Sequence, residues 1–328
     1  MNQVKGTSNQ TPGSAIRKLW LRLIGISIIG AILTVGLWAF WWEPASFSIQ
    51  QYELQLQQWP SHSEELRIAV LADLRTGSPF NDLEKLESIV RSTNLEEPDL
   101  ILLAGDFVIH GVVGGTFVEP ELSATVLKQL HAPLGVYAVL GNHDWWLDAA
   151  RVRKALEAVD IPVLEDQSRK LKFKDGTFWL VGVSDYWEGP HDLKKALAGV
   201  NDADPVILFT HNPDLFPEVP SSVALTIAGH THGGQVALPV VGRPIVPSKY
   251  GERYASGHII EHDQHLFVTS GIGTSILPVR FRVPPEVSLV SIVSADAKKS
   301  LVGRLTQVGT SAIRTIKRQV SRVKEQLS

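Results

Sequence analysis

Two short stretches, Gly141-Asn142-His143-Asp144 and Gly229-His230-Thr231-His232-Gly233-Gly234, each follow an apolar run and set metal-binding side chains at its end. Between them lies a third, Phe209-Thr210-His211-Asn212-Pro213-Asp214, and upstream stand Leu71-Ala72-Asp73 and Ala104-Gly105-Asp106. Carboxylate, amide and imidazole are the oxygen and nitrogen ligands that Zn, Mn and Fe accept. Singly they mean little, because a strand-end Asp is often a cap and a lone His is often a satisfied polar residue. As a set they differ: Asp73, Asp106, Asn142, His211, His230 and His232 all stand at the C-terminal side of apolar strands. Gly105, Gly141 and Gly229 permit tight backbone paths beside them. Strands that bring such ligands to one rim build a hydrolytic metal centre.

The elements that must position these residues form a rhythm. Leu66–Ala72, Leu100–Ala104, Val136–Leu140, Phe178–Val183, Val206–Thr210, Ala224–Ala228 and Leu266–Thr269 read as buried strands. Helical patterns fall between several of them, at Asp82–Ser92, Ser123–Leu130, Ala149–Val159 and Leu193–Ala198. Alternation of strand and helix predicts a layered α/β domain. Trp145, Trp146 and Trp187 fall just after strand ends, where they either line a cleft or pack between loops. His110, His191 and His258 are left outside the site.

The chain of 328 residues is 44% hydrophobic, carries a net charge of −3 and has no cysteine. That balance gives no signal for nucleic acid, and the missing thiols exclude disulfides and thiolate metal sites. Leu23 to Trp42 carries no charge and as a helix is long enough for the ~30 Å hydrocarbon core of a bilayer. Arg17, Lys18 and Arg22 precede it, so the positive-inside rule puts the N-terminus in the cytoplasm and the domain outside it. Length and the lack of a small-residue cleavage site favour an uncleaved anchor over a signal peptide. The organisation expected is a disordered N-terminus at 1–16, an anchor at 17–42, a lead-in at 43–64 that supplies a first strand, a catalytic domain at 65–295, and a basic amphipathic helix at 296–328 that lies on a membrane or on its own domain.

The order Asp…Gly-Asp…Gly-Asn-His-Asp…His…Gly-His-x-His resembles that of the calcineurin-like metallophosphoesterases. The likeness is closer to a membrane-associated bacterial branch with Gly-His-Thr-His-Gly-Gly-Gln, here Gly229 to Gln235. It extends to Val268-Thr269-Ser270-Gly271-Ile272-Gly273, Leu277-Pro278-Val279-Arg280-Phe281 and Pro285-Glu286. The resemblance implies a four-layer α/β/β/α sandwich of two mixed sheets, one or two divalent ions (Mn, Fe or Zn), and hydrolysis of a phosphodiester or pyrophosphate by metal-bound hydroxide. By the same motifs Asp106 bridges two metals, Asn142, His211 and His230 complete one site, and Asp73 and His232 belong to the other. His143 falls where the family stabilises the departing oxygen, and Asp144 reads as a structural neighbour.

Two positions depart from the pattern. Arg75 stands where the family has a ligand His, and a guanidinium offers no lone pair. That metal binds weakly, or water replaces the imidazole, or Arg75 serves as a fixed cation and grips phosphate. Ile109 replaces an Asp that orients the catalytic His, so His143 needs another partner, a backbone carbonyl or Asp144. The leading expectation is an enzyme of the bacterial cytoplasmic membrane, with its domain outside and a phosphoester substrate that is lipid-linked or a small diester. A UDP-2,3-diacylglucosamine pyrophosphatase-like activity in lipid A synthesis is an alternative that the topology opposes. A second class is a weakened metal- and phosphate-binding protein, which Arg75 favours. A signalling role for the helix has less support, because a single span without intramembrane charge reads as an anchor.

Overall fold

The computed structural model describes residues 12–60, 64–201 and 203–295. The chain opens with α1 (Pro12–Leu37), a π-helical turn (Trp38–Trp42) and α2 (Glu43–Ala45). There follow β1 (Ser48–Leu56), β2 (Leu66–Leu71), α3 (Leu83–Leu95), β3 (Leu100–Ala104), α4 (Pro120–Leu127), β4 (Val136–Val139) and α5 (Asn142–Glu157). The second half comprises β5 (Gln167–Phe173), β6 (Gly176–Gly182), α6 (Leu193–Ala196), β7 (Val206–Phe209), β8 (Leu225–Ala228), β9 (Gly257–Glu261), β10 (Gln264–Val268) and β11 (Glu286–Ser294). Of the disorder expected at 1–16, residues 1–11 lie outside the described residues and 12–16 are instead the start of α1; the helix expected at 296–328 also lies outside the described residues.

Two mixed sheets result, in the orders β1-β11-β2-β3-β4 and β5-β6-β7-β8-β10-β9. In the first, β11 runs parallel to β1 and antiparallel to β2, while β2, β3 and β4 are parallel. In the second, β6, β7, β8 and β10 are parallel between antiparallel edge strands. The strand alternation of period two decides the layers. Ile68 and Val70 of β2 point into the space between the sheets, against Phe178, Ile207, Phe209 and Ile227. Ala69 and Leu71 point the other way, onto Leu86 and Ile89 of α3 and Leu127 of α4. Outside the second sheet, Val181 and Leu208 meet Ala196 of α6 and Leu215. This is the expected four-layer α/β/β/α sandwich.

The parallel strands explain where the site falls. The ends of β2, β3, β4, β7 and β8 open on the same side, so the residue after each strand is brought to one rim. Two sequence expectations change. Ala149–Val159 is the later part of a helix that begins at Asn142 and breaks at Asp148 (φ −179°). β5 was not expected, because its residues are mostly solvent-facing and polar, as an edge strand tolerates.

From Ile16 onward the large apolar side chains of α1 are exposed, and the helix is long and apolar enough to cross a bilayer. Its C-terminal end is fastened to the domain. Arg280 N donates to Ala39 O at 2.9 Å. The buried Glu43 carboxylate accepts from Val283 N at 2.6 Å and from Trp38 Nε1 at 2.6 Å.

Candidate metal centre

Asp73 and Asp106 follow β2 and β3 in left-handed conformations, φ 52° and 58°, which turn each carboxylate back over the rim. Asp73 Oδ2 accepts from His230 N at 2.9 Å, and Asp106 Oδ1 accepts from His143 N at 2.9 Å. Each carboxylate thereby keeps its second oxygen for the interior of the site. Asp144 staples the loops together: Oδ2 accepts from Asp106 N and Gly141 N, both at 2.9 Å, and Oδ1 from Phe107 N at 2.9 Å and Val108 N at 3.3 Å. The bond to Gly141 N returns an N3 carboxylate to the cap of α5. A side chain at Gly141 would stand 2.3 Å from Asp106 Oδ1, so only glycine fits there.

The imidazoles enter from the second sheet. His211 Nδ1 lies 2.8 Å from Ala104 O, which fixes the proton on Nδ1 and directs the Nε2 lone pair inward. His211 Nε2 is 3.3 Å from Asp106 Oδ2 and 3.1 Å from His230 Nδ1. His232 Nε2 is 3.2 Å from Asp73 Oδ1. Asp73, Asp106 and His211 offer ligand atoms within 4.8 Å of one another, all buried. Asp73 Oδ1, Asn142 Oδ1, His230 Nε2 and both nitrogens of His232 are buried and have no hydrogen-bond partner among the described residues. Buried acceptors that face one another and lack donors are costly unless a cation lies among them. The residues therefore fit a divalent metal.

Electrostatics agree with that need. Burial opposes charge on His211, but Asp106, aided by Asp73 and Asp185, outweighs it and lifts the pKa to about 10. Burial, then the repulsion of His211, holds His230 well below the ordinary imidazole range. For His232, burial and then Arg75 and Arg280 act in the same direction. His230 and His232 are thereby held neutral, the form that binds metal, whereas His211 carries a proton that an entering cation would displace.

Arg75, 2% exposed and at φ 42°, turns into the site. Nη2 donates to Asp106 Oδ2 at 2.6 Å and Nε stands 3.8 Å from Asp73 Oδ1. Nη1 lies 2.9 Å from His143 Nε2 and 3.4 Å from Ser275 Oγ. Arg75 is thus the partner of His143, in place of the carbonyl or Asp144 expected from sequence. Asp144 is not available, because its two oxygens are filled by backbone N–H groups. Burial pushes the His143 pKa down to about 3, against the pull of Asp106 and with the help of Arg75.

The aromatic residues divide. Trp146 packs on the His143 ring (4.6 Å between centroids) and Trp187 meets the His230 ring edge-on (4.3 Å), both half-exposed at the mouth. Trp145 packs instead on the core beneath the helices, because the turn of α5 points it inward. His110, left outside from sequence, lies 6.1 Å from the His143 ring and 5.7 Å from that of Trp146. His191 is held by Gly189 O at 2.9 Å, and His258 pairs with His265 on β9 and β10. Asp185 was missed. It is buried, raises the His211 pKa and accepts from Trp187 N at 2.9 Å. It follows β6 as Asp73 follows β2, so the strand-end rule would have found it.

A two-sheet sandwich whose strand ends converge buried carboxylates, an amide and imidazoles defines a metal-dependent hydrolase. The chain belongs to the calcineurin-like phosphoesterase family, whose model matches residues 66–234. It is similar to the uncharacterized metallophosphoesterase YkuE of Bacillus subtilis, 28% identical over 279 residues, covering 84% of this chain and 96% of that one. It is also similar to the phosphodiesterase YaeI of Escherichia coli, 29% identical over 262 residues, covering 76% and 90% of the two chains. The UDP-2,3-diacylglucosamine pyrophosphatase LpxG of Chlamydia trachomatis is 27% identical over 322 residues, covering 80% and 94%.

Proposed function

We propose that this protein is a membrane-anchored phosphoesterase that hydrolyses a phosphodiester or pyrophosphate bond in a lipid-linked substrate. The observation that carries the reading is the set of buried polar atoms without hydrogen-bond partners among the described residues: Asp73 Oδ1, Asn142 Oδ1, His230 Nε2 and both His232 nitrogens. With Asp106 and His211 these residues would hold the metal. A bound divalent cation lowers the pKa of a water and offsets charge on the phosphate.

The chain's own groups supply the rest. Arg75, fixed against Asp106 and His143, acts as a permanent cation in place of one ion and strengthens the field at the phosphate. Arg75 Nη1 lies 2.9 Å from His143 Nε2 and 3.3 Å from Nδ1, so the guanidinium holds the neutral ring in place at the rim, where the family's pattern has a histidine that stabilises the departing oxygen. Trp146 and Trp187 flank the entrance and limit water.

Fastening of the α1 end to Arg280 and Val283 supports retention of the helix as an anchor, since cleavage after it would remove Ala39 from the domain surface. Arg17, Lys18 and Arg22 support a cytoplasmic N-terminus and a domain on the outer side of a bacterial cytoplasmic membrane. The lipid substrate named for LpxG supports a lipid-linked class here.

The test is hydrolysis of bis-p-nitrophenyl phosphate by the full chain with Mn. Asn142→Ala and His211→Ala are expected to lower kcat/KM by more than ~10²-fold. Turnover unchanged in both would mark it as a contaminant and would leave the second reading, a metal-binding protein without activity, which the Arg75–Asp106 contact favours.

A further inference from the structure

We propose that an apolar cavity beside the metal centre is an acyl-chain site, and that the enzyme draws a phosphoester lipid into it from the bilayer its own helix spans. This rests on the phosphoesterase reading above and adds the substrate's second recognition element. The cavity has a volume of about 410 Å³, within the ordinary range of small-molecule sites. Its lining includes His232 and Ser275 as well as Phe40 of the π-helical turn. Ser275 Oγ is 3.4 Å from Arg75, so the cavity adjoins the metal centre. The rest of the wall includes Val236, Ile245, Ile276 and Leu277.

The position of the cavity identifies its occupant. Phe40 cannot drift from the domain, because its neighbour Ala39 accepts from Arg280 N at 2.9 Å. The end of a bilayer-spanning helix and the mouth of the cavity are therefore at the same height. The surface there is apolar: of the cavity's own lining Ile245 is 76% exposed and Ile276 69%, and Trp41 and Trp42, next to Phe40 in the chain, are exposed too. Leu238 pairs with Gly242 across a tight hairpin, which puts Val240 near its tip at φ 70° and 107% exposed. A β-branched residue is strained at positive φ, and in water it would gain nothing by being presented there. Facing hydrocarbon, it would be buried. Exposed apolar surface next to interfacial tryptophans fits insertion into the outer part of a bilayer. A lipid lying in that leaflet could place its phosphate at His232 and Arg75 while one chain stays in the cavity.

The experiment uses the full chain in phosphatidylcholine nanodiscs with Mn. Alkyl p-nitrophenyl phosphodiesters from methyl to hexyl are compared, with kcat/KM expected to rise up to ~4-fold per added methylene. Ile276→Trp fills the cavity from an exposed position and should flatten that rise. A flat series in the unmodified protein, or an equal rise in Ile276→Trp, overturns the proposal. Failure to hydrolyse any diester, methyl included, would instead sink the phosphoesterase reading. Independently of turnover, phosphatidylglycerol with a diazirine at the end of one acyl chain should label residues 236–245 and 275–279. Labelling confined to α1 would leave the cavity to a protein segment and overturn the proposal.

Discussion

The Arg75 guanidinium stands 2.6 Å from Asp106 Oδ2, the carboxylate that the family's pattern assigns to both metals. A positive charge held by the chain thereby occupies space that a second ion would share. The expected metal content is about one divalent ion per chain, whereas Arg75→His should raise it to about two by returning a lone pair to the site. Mass spectrometric metal analysis of both proteins after dialysis decides this. Equal contents would show that the guanidinium does not compete with a metal.

Gly141→Ala tests the closeness of the two loops without touching a ligand side chain. The added methyl would stand 2.3 Å from Asp106 Oδ1 and 2.7 Å from Asp106 N, both held by further bonds. Asp106 must move, and a displacement near 1 Å in such a site costs ~10²-fold in rate. The expected result is that loss of kcat/KM with an unchanged circular dichroism spectrum. Full activity would mean that the rim is softer than its hydrogen bonds imply.

That Asp73, Asp106, His211, His230 and His232 come together at one rim was legible because each combines a distinctive ligand chemistry with an apolar run before it. The period-two alternation that sends Ile68 and Leu71 to opposite layers was legible for the same local reason. What Arg75 touches was not legible. Its partners Asp106, His143 and Ser275 are far apart in sequence, and they meet only where the parallel strands β2 and β3, the start of α5 and the loop before β11 come together. Trp145 and Trp146 are adjacent and chemically alike, yet the pitch of α5 packs one, partly buried, against the core and leaves the other at the mouth. β5 escaped because an exposed edge strand needs no apolar run.

Topology can be read directly because the chain contains no cysteine. Ser221 is exposed in the turn before β8, far from the helix in sequence. Ser221→Cys should react with a membrane-impermeant maleimide in spheroplasts, as the basic flank Arg17, Lys18 and Arg22 predicts. Labelling only after permeabilisation would place the domain in the cytoplasm and would remove the objection to a substrate made there.

Arg280 carries the last prediction, because it joins the helix, the C-terminal loop and the metal centre. Its side chain is fully buried and donates to Val283 O at 3.0 Å, Ser270 O at 3.0 Å, Gly271 O at 3.1 Å and Gly273 O at 2.6 Å. Burial lowers its pKa to about 10, which leaves it charged at neutral pH. The loop it gathers in turn donates from Ile272 N to Ala72 O and from Gly273 N to Asp73 O, on either side of a ligand carboxylate. Arg280→Leu removes the donors and leaves those carbonyls buried, at ~1–3 kcal/mol for each that finds no water. A net loss of ~4 kcal/mol is expected, which for a domain of this size lowers Tm by ~10 °C. Lysine should rescue only part of it, since one ammonium cannot reproduce the spread of a guanidinium fork. Thermal unfolding of the detergent-solubilised chain, with and without Mn, measures both effects. If Arg280→Leu shifts Tm by less than about 2 °C, water replaces the side chain and the loop does not depend on it.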